Sequence, residues 1–403
     1  MRVLITACAS PPHYYPLVPL AWALRNEGHE VRIAATPGLV DTVVSSGLTV
    51  VQVGQETDFI EVTRQQMELA QDAEVTPALW QELRKGKGPR ALRIFLGLAE
   101  AMIDDTIEFA RAWRPDLVVH GPTTYAGPVT AAVLGVPNVR VPMCPDVEFR
   151  AADYERDLLA PLSARFGGGE VTPLGTLTAD ACPASMQAPS DYPRQLVRYI
   201  PYNGPGEMPH WLLEPPARRR VAITWGTTLA KINPNLVLAG PMIRALDEVD
   251  AEIVVAIAPG HRPLLGPVPD GVRVVEQLPL HMLLPTCDAI IHQGGNGTTM
   301  TSVACGTPQL IVPQFPDQAF VAAHVSKTGA AVVVNPEDAS SAVVRETVTA
   351  LIDPDGPALK AAVALRDEAA AHPAPTEVVG VLEKLAGSFP ASGPTATAAA
   401  TRA

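Results

Sequence analysis

The chain opens on an apolar run, Val3-Leu4-Ile5, and then changes from a strand-like pattern to a helical spacing. Leu17, Leu20, Ala21 and Leu24 recur at intervals of three and four, which predicts a helix that Gly28 ends. Arg2–Ala7, Glu30–Ala35 and Leu48–Val53 read as strands. Leu117–His120 and Asn138–Val141 read as later ones, with an alanine-rich helix around 130–134 between them. Residues 54–115 give long, irregular helical material of the kind that shapes a ligand pocket or cap. Strands alternating with helices imply a parallel, doubly wound sheet.

A second series of the same kind follows. Val221–Trp225, Glu252–Ile257, Val272–Val275, Ala289–His292, Gln309–Val312 and Ala331–Val334 predict strands. Helices are expected near 235–246, 298–305, 318–327, 340–352 and 357–371. The proline-rich stretch "PYNGPGEMPHWLLEPPARRR" (201–220) separates the two series. The expected organisation is a first domain over 1–205, a linker over 206–220 and a second domain over 221–386. A tail over 387–403, low in bulky apolar residues, is expected to be disordered. Two doubly wound domains on a hinge imply a cleft between them, faced by the carboxyl ends of the strands.

Bulk properties narrow the class. A chain of 403 residues exceeds one ordinary core. The net charge of −12 argues against a nucleic-acid surface, yet a local cradle of N–H groups can still hold a nucleotide. No apolar run reaches the roughly 18 residues of a membrane span, so no stable membrane insertion is expected. Residues 1–8 lack the pattern of a signal peptide, and the five cysteines form no CxxC pair. A reduced, cytoplasmic protein with buried thiols is the expectation.

The most informative stretch is "DAIIHQGGNGTTMTSVACGTP" (288–308). A hydrophobic strand runs into His292, then Gly294, Gly295 and Gly297, and then a helix from about Thr298 to Cys305. Glycines permit close backbone approach, and the free N–H groups of a helix start attract an anion. His292, Thr298 and Thr299 offer side-chain donors to the same oxygens. The alternative is a strand-to-helix turn that needs glycine only for its backbone angles. Asn296-Gly297-Thr298 fits a glycosylation sequon only as a string, and Asp353-Pro354-Asp355 is turn chemistry rather than a metal site. The first strand, by contrast, feeds "ASPPHYYPLVPL" (9–20), which lacks GxGxxG and disfavours a nicotinamide dehydrogenase.

At this point "HQGGNGTTMTSVACGTPQLIVPQFPDQ" (292–318) resembles the donor-binding signature of the GT-B nucleotide-sugar glycosyltransferases of family 1, in the bacterial antibiotic branch that transfers deoxysugars. "PPHYYPLVPLAWALRNEGHEV" (11–31), "RPDLVVHGPTTYAGP" (114–128), "VAITWGTT" (221–228) and "VRVVEQLPLHMLLPTCDAIIH" (272–292) are similar to other family segments, in order. The resemblance implies a GT-B fold, two Rossmann-like domains with the acceptor in the first and the donor in the second. It implies an inverting transfer of a deoxysugar from a dTDP-sugar, or a UDP-sugar, to a hydrophobic natural-product aglycone. The nucleotide-sugar is a co-substrate, and no cofactor or metal is expected. Some relatives use an auxiliary protein and many are homodimers, so the resemblance leaves a homodimer and an auxiliary partner possible, neither of them readable from the residues.

Carried over residue by residue, the resemblance assigns the diphosphate to His292, to Gly294, Gly295, Asn296, Gly297 and Thr298, and to Thr227. Gln277 and Leu278 would meet the nucleobase, and Asp317 and Gln318 the sugar hydroxyls, with a helix N-cap as the alternative for Asp317. His13, in a loop feeding a helix that begins near Pro16, matches the general base. Acceptor walls are expected from Tyr14, Tyr15, Phe59, Met67, Trp80, Phe95 and Met143. One position departs. Many relatives carry an aspartate after "VVH" that orients the base, and this chain has Gly121 there. Asp116 reads as structural. The hypothesis is that His13 works unpaired or with a hydroxyl such as Thr123, which suits an acceptor of low pKa such as a phenol. The rival readings are a sugar-nucleotide epimerase, which would need carboxylates in the cleft, and a binding or auxiliary protein that keeps the fold without catalysis.

Overall fold

The structure, a computed structural model, describes residues 1–8, 10–85 and 92–389, without the side chains of Gln66 and Met67. Most of the tail expected over 387–403 therefore lies outside the described residues. The first sheet is built from β1 (Arg2–Ala7), β2 (Glu30–Ala35), β3 (Val50–Gln52), β4 (Leu117–His120), β5 (Asn138–Arg140), β6 (Leu177–Asp180) and β7 (Arg194–Leu196). Their order is β3-β2-β1-β4-β5-β6-β7, all parallel. The second comprises β8 (Arg219–Thr224), β9 (Ala251–Ile257), β10 (Arg273–Glu276), β11 (Ala289–His292), β12 (Gln309–Ile311) and β13 (Ala331–Val333), in the parallel order β10-β9-β8-β11-β12-β13.

Helices cover both faces of such sheets, so the central strands read as unbroken apolar runs. Val3, Leu4 and Ile5 of β1 and Ile290 and Ile291 of β11 are fully buried. In each sheet the strand order reverses beside the first strand, between β1 and β4 and between β8 and β11. That reversal opens a crevice at the carboxyl edge, where successive connections leave in opposite directions.

The pattern of apolar positions does not disclose β6 and β7, which are short and polar, "LTAD" and "RQL". Asp180 sits buried in β6 because Cys182 N donates to it at 2.9 Å, Arg194 pairs with it at 3.2 Å and the Gln187 amide bonds it as well.

Two segments leave their own sheet. The helices Phe59–Met67 and Pro77–Lys85 cross to the second domain, where Trp80 and Leu83 join the core around Val221 and Ile223. Asn233 anchors the crossing by donating to Ala70 O at 3.2 Å and Ala73 O at 3.0 Å, and Arg84 pairs with Glu337. In the other direction the helix Pro375–Gly387 returns to the first domain, placing Val378, Val379 and Leu382 in the core with Val3 and Ile5. All five cysteines are free thiols. Among the described residues no helix is long and apolar enough to cross a membrane.

Leu382 is fully buried in that borrowed core. Leu382→Ala is expected to destabilise the first domain by about 2–5 kcal/mol, measured as a lower urea midpoint.

Candidate active site

The first crevice is built from the loops after β1 and β4. Ser10 O accepts from His13 N at 3.0 Å and from Tyr14 N at 3.3 Å, opening the helix Pro11–Tyr14. The two prolines occupy its first positions, where an N–H would have no helical partner in any case. A 3₁₀ turn (Tyr15–Leu17) and the helix Val18–Asn26 follow without a break. His13 therefore stands inside the first helical turn, not in a loop ahead of a helix starting near Pro16.

His13 Nδ1 lies 3.1 Å from Thr123 Oγ1, on the turn after β4. The rings of Phe59 and Phe95 stand 6.1 and 6.2 Å from it, centroid to centroid. Burial lowers the His13 pKa to about 4, because the imidazolium would lose its hydration. The ring is thus neutral across the physiological range. Among the described residues no carboxylate bonds it. Asp116 accepts from Arg2 N at 2.7 Å, and Asp146 is held by Arg140 and Tyr192. A Cβ placed on Gly121 would meet nothing closer than Thr124 Oγ1 at 3.7 Å and His13 O at 3.8 Å. Position 121 has room for a Cβ beside His13 and carries none. His120 is no substitute: Nδ1 donates to Gly121 O at 2.9 Å and Nε2 accepts from the Asn138 amide at 3.1 Å.

The second crevice holds the glycine turn. Gly294 has φ 89°, and a Cβ there would stand 3.0 Å from Ile311 Cγ2 and 3.3 Å from Gln318 Cβ, so the turn requires glycine. Gly295 precedes the helix Asn296–Cys305, whose first internal bond is Thr299 N to Gly295 O at 2.9 Å. The N–H groups of Asn296, Gly297 and Thr298 come before that bond and are left for a ligand. Asn296 Oδ1 and Thr299 Oγ1 are buried and unpartnered in the same turn. His292 is fully buried, and both its nitrogens are engaged within the protein. Nδ1 accepts from Gly294 N and Nε2 donates to Gln309 Oε1, each at 3.0 Å. With its pKa lowered to about 4 by burial, His292 is a neutral prop that fixes the Gly294 turn. Thr227 is exposed on the loop after β8.

Asp317 and Gln318 open the helix Pro316–Lys327. The capping group is Gln318, whose Oε1 accepts from Gln314 N at 2.9 Å and Phe315 N at 3.2 Å. Asp317 lies inside the helix, not at its N-cap. Solvent reaches it, yet the surrounding protein raises its pKa, and its charge is felt at Cys144 of the first domain. Gln277 adopts φ 60°, and its N–H bonds Ile257 O at 3.0 Å. With Leu278 it borders a cavity of about 510 Å³ whose opposite wall is Pro205, Gly206 and Glu207. Asn203 docks that connecting segment by accepting from His281 N at 2.9 Å and donating to Thr301 Oγ1 at 3.1 Å.

The expected acceptor residues divide. Phe59 and Phe95 face each other beside His13, and Tyr125, absent from the expected set, meets Phe95 edge-on at 6.3 Å. Tyr125 was detectable only as the aromatic two positions beyond Thr123. Tyr14 is core, its hydroxyl bonded to Ser46 Oγ at 2.7 Å, and Tyr15 packs on Tyr202 at 5.3 Å by the connecting segment. Trp80 is buried with the second sheet, away from His13. Met143 is half-buried after β5, and the Met67 side chain lies outside the described residues.

Comparison with known proteins places this pair of crevices in one class, the GT-B glycosyltransferases. The crystal structure of glycosyltransferase VinC in complex with dTDP superposes with a TM-score of 0.81 at 34% identity, covering 96% of this chain and 100% of that one. Spinosyn rhamnosyltransferase SpnG complexed with spinosyn aglycone gives 0.80 at 30% identity, covering 95% and 100%. Residues 22–226 match the N-terminal and 241–385 the C-terminal domain model of the erythromycin biosynthesis protein CIII-like family. 10-Deoxymethynolide desosaminyltransferase of Streptomyces venezuelae is 35% identical, with 96% of this chain and 97% of that protein aligned. The chain belongs to the CIII-like family and is a glycosyltransferase of the antibiotic deoxysugar branch.

Gly294→Ala combines a disfavoured φ with a close contact at Ile311. It is expected to weaken nucleotide binding at least tenfold, read by calorimetric titration with dTDP.

Proposed function

We propose that the protein transfers a deoxysugar, with inversion, from a dTDP-sugar to a hydroxyl of a hydrophobic aglycone, and that His13 removes the proton. The observation that carries this reading is the 3.1 Å pairing of His13 Nδ1 with Thr123 Oγ1 at the crevice between β1 and β4. With Nδ1–H donated to the hydroxyl, Nε2 keeps an open lone pair, the requirement for a general base. The departing diphosphate meets the N–H groups at Asn296–Thr298, which stabilise its growing charge without a resident metal. Phe59, Phe95 and Tyr125 give the acceptor apolar walls. Support for the donor and acceptor classes comes from the dTDP bound to VinC, the aglycone bound to SpnG and the desosaminyl transfer of the Streptomyces relative.

A base with a pKa near 4 and no carboxylate behind it is weak. We take this to select an acidic, phenol-like hydroxyl. His13→Ala is expected to lower transfer by about 10²–10⁴-fold while dTDP affinity stays within about twofold. Both are measured by product mass spectrometry and calorimetric titration. Undiminished transfer in the variant would remove His13 from the reaction.

A further inference from the structure

Arg150 has no part in the reading above. It sits in the short 3₁₀ turn Glu148–Ala151, which follows β5 in the first domain, and it is exposed. That turn is held from behind. Phe149 N donates to Asp146 Oδ1 at 3.2 Å, and Asp146 is itself fixed by Arg140 and Tyr192. From this base the Arg150 guanidinium carbon reaches to 5.1 Å from the ring centroid of Phe320, in the second domain, and lies 5.8 Å from that of Phe149. Among the described residues no carboxylate pairs with it, so aromatic faces are its partners.

Phe320 belongs to the helix Pro316–Lys327, whose first turn carries Asp317 and Gln318. Asp317 and Phe320 are three positions apart, which puts them on one face of that helix. The ring is held in place, packed on the His324 ring at 4.3 Å, and Phe320 O accepts from His324 Nδ1 at 2.9 Å. Next to it Val321, Ala322 and Val325 pack in one buried cluster with Cys144, Cys182 and Met186 of the first domain. Apolar burial of that kind is non-directional. A cation over an aromatic face favours one approach, so the Arg150–Phe320 pair adds a fixed point between the domains, one helical turn from Asp317.

We propose that Arg150 is a positioning residue of the transfer reaction. Through the face of Phe320 it registers the helix carrying Asp317 and Gln318 against the acceptor domain, and so sets where the donor sugar stands relative to His13. This rests on the transfer reaction proposed above, with Asp317 and Gln318 at the sugar. The rate of a displacement falls quickly when the reacting groups slip out of line. Diphosphate binding at Asn296–Thr298 does not draw on this contact.

The test is steady-state kinetics of transfer from a dTDP-deoxysugar to a phenol, together with calorimetric titration of dTDP. It compares the full wild-type chain with Arg150→Ala, Arg150→Lys, Phe320→Leu and the double variant Arg150→Ala/Phe320→Leu. Arg150→Ala and Phe320→Leu are each expected to lower kcat by about two- to fivefold, with donor KM and dTDP affinity close to wild type. The double variant is expected to lose no more than either single one, since each removes the same contact. Arg150→Lys, which keeps a cation, is expected to recover part of the rate. Wild-type kcat in Arg150→Ala, additive losses in the double variant, or a matching loss of dTDP affinity overturns the assignment while leaving the transfer reading intact. A wild type that binds dTDP but transfers sugar to no phenol or alcohol overturns the transfer reading, and this assignment with it.

Discussion

The reversal of strand order in each parallel sheet is the constraint on which the rest depends. A parallel sheet sends its connections over both faces, and only where the direction switches do two loops diverge and leave a gap at the carboxyl edge. Each gap gathers groups from two loops. His13 and Thr123 come from the loops after β1 and β4, 110 positions apart, and meet at 3.1 Å. Gly226 and Gly295 come from the loops after β8 and β11 and close on Gln293. The sheets supply position, and the loops supply the groups.

Burial keeps charge off the histidines at both crevices. His13, His120 and His292 are all pushed to pKa values of about 4 by burial, so each is a neutral hydrogen-bonding ring rather than a cation. Arg140 and Asp146 form a buried charge pair on and after β5, where Tyr192 completes it. Such a pair is costly to break, since removing one partner strands the other charge. It fixes the loop carrying Met143 and Cys144, and Cys144 packs in one buried cluster with Met300 and Val321 of the second domain. The two crossings, the Phe59–Lys85 segment outward and the Pro375–Gly387 helix back, tie the domains that form the cleft.

Much of this is legible in the sequence because fully buried strands and glycine turns leave strong local marks. β1, β2, β4 and β11 have the bounds that their apolar runs predict. Gly294 is legible because only glycine tolerates its φ and its neighbours. β6 and β7 are not, since polar side chains there are satisfied by partners such as Gln187 and Arg194 that local pattern cannot reveal. Trp80 reads as a pocket aromatic because nothing in residues 77–85 says which sheet its apolar face will meet. His292 carries the chemistry of a phosphate donor, but Gln309, 17 positions on, and Gly294 take its two nitrogens.

In the proposed reaction a neutral histidine backed by a hydroxyl, with no side chain at Gly121, sets what the enzyme can deprotonate. The most direct measurement is kcat/KM across a series of acceptors graded in hydroxyl pKa, for the wild type and for Gly121→Asp, whose Cβ the structure accommodates. The wild type is expected to favour acidic phenols steeply. The variant is expected to flatten that dependence, with the acid limb of its pH profile moved upward as the carboxylate raises the His13 pKa. Wild-type rates indifferent to acceptor pKa would contradict the claim.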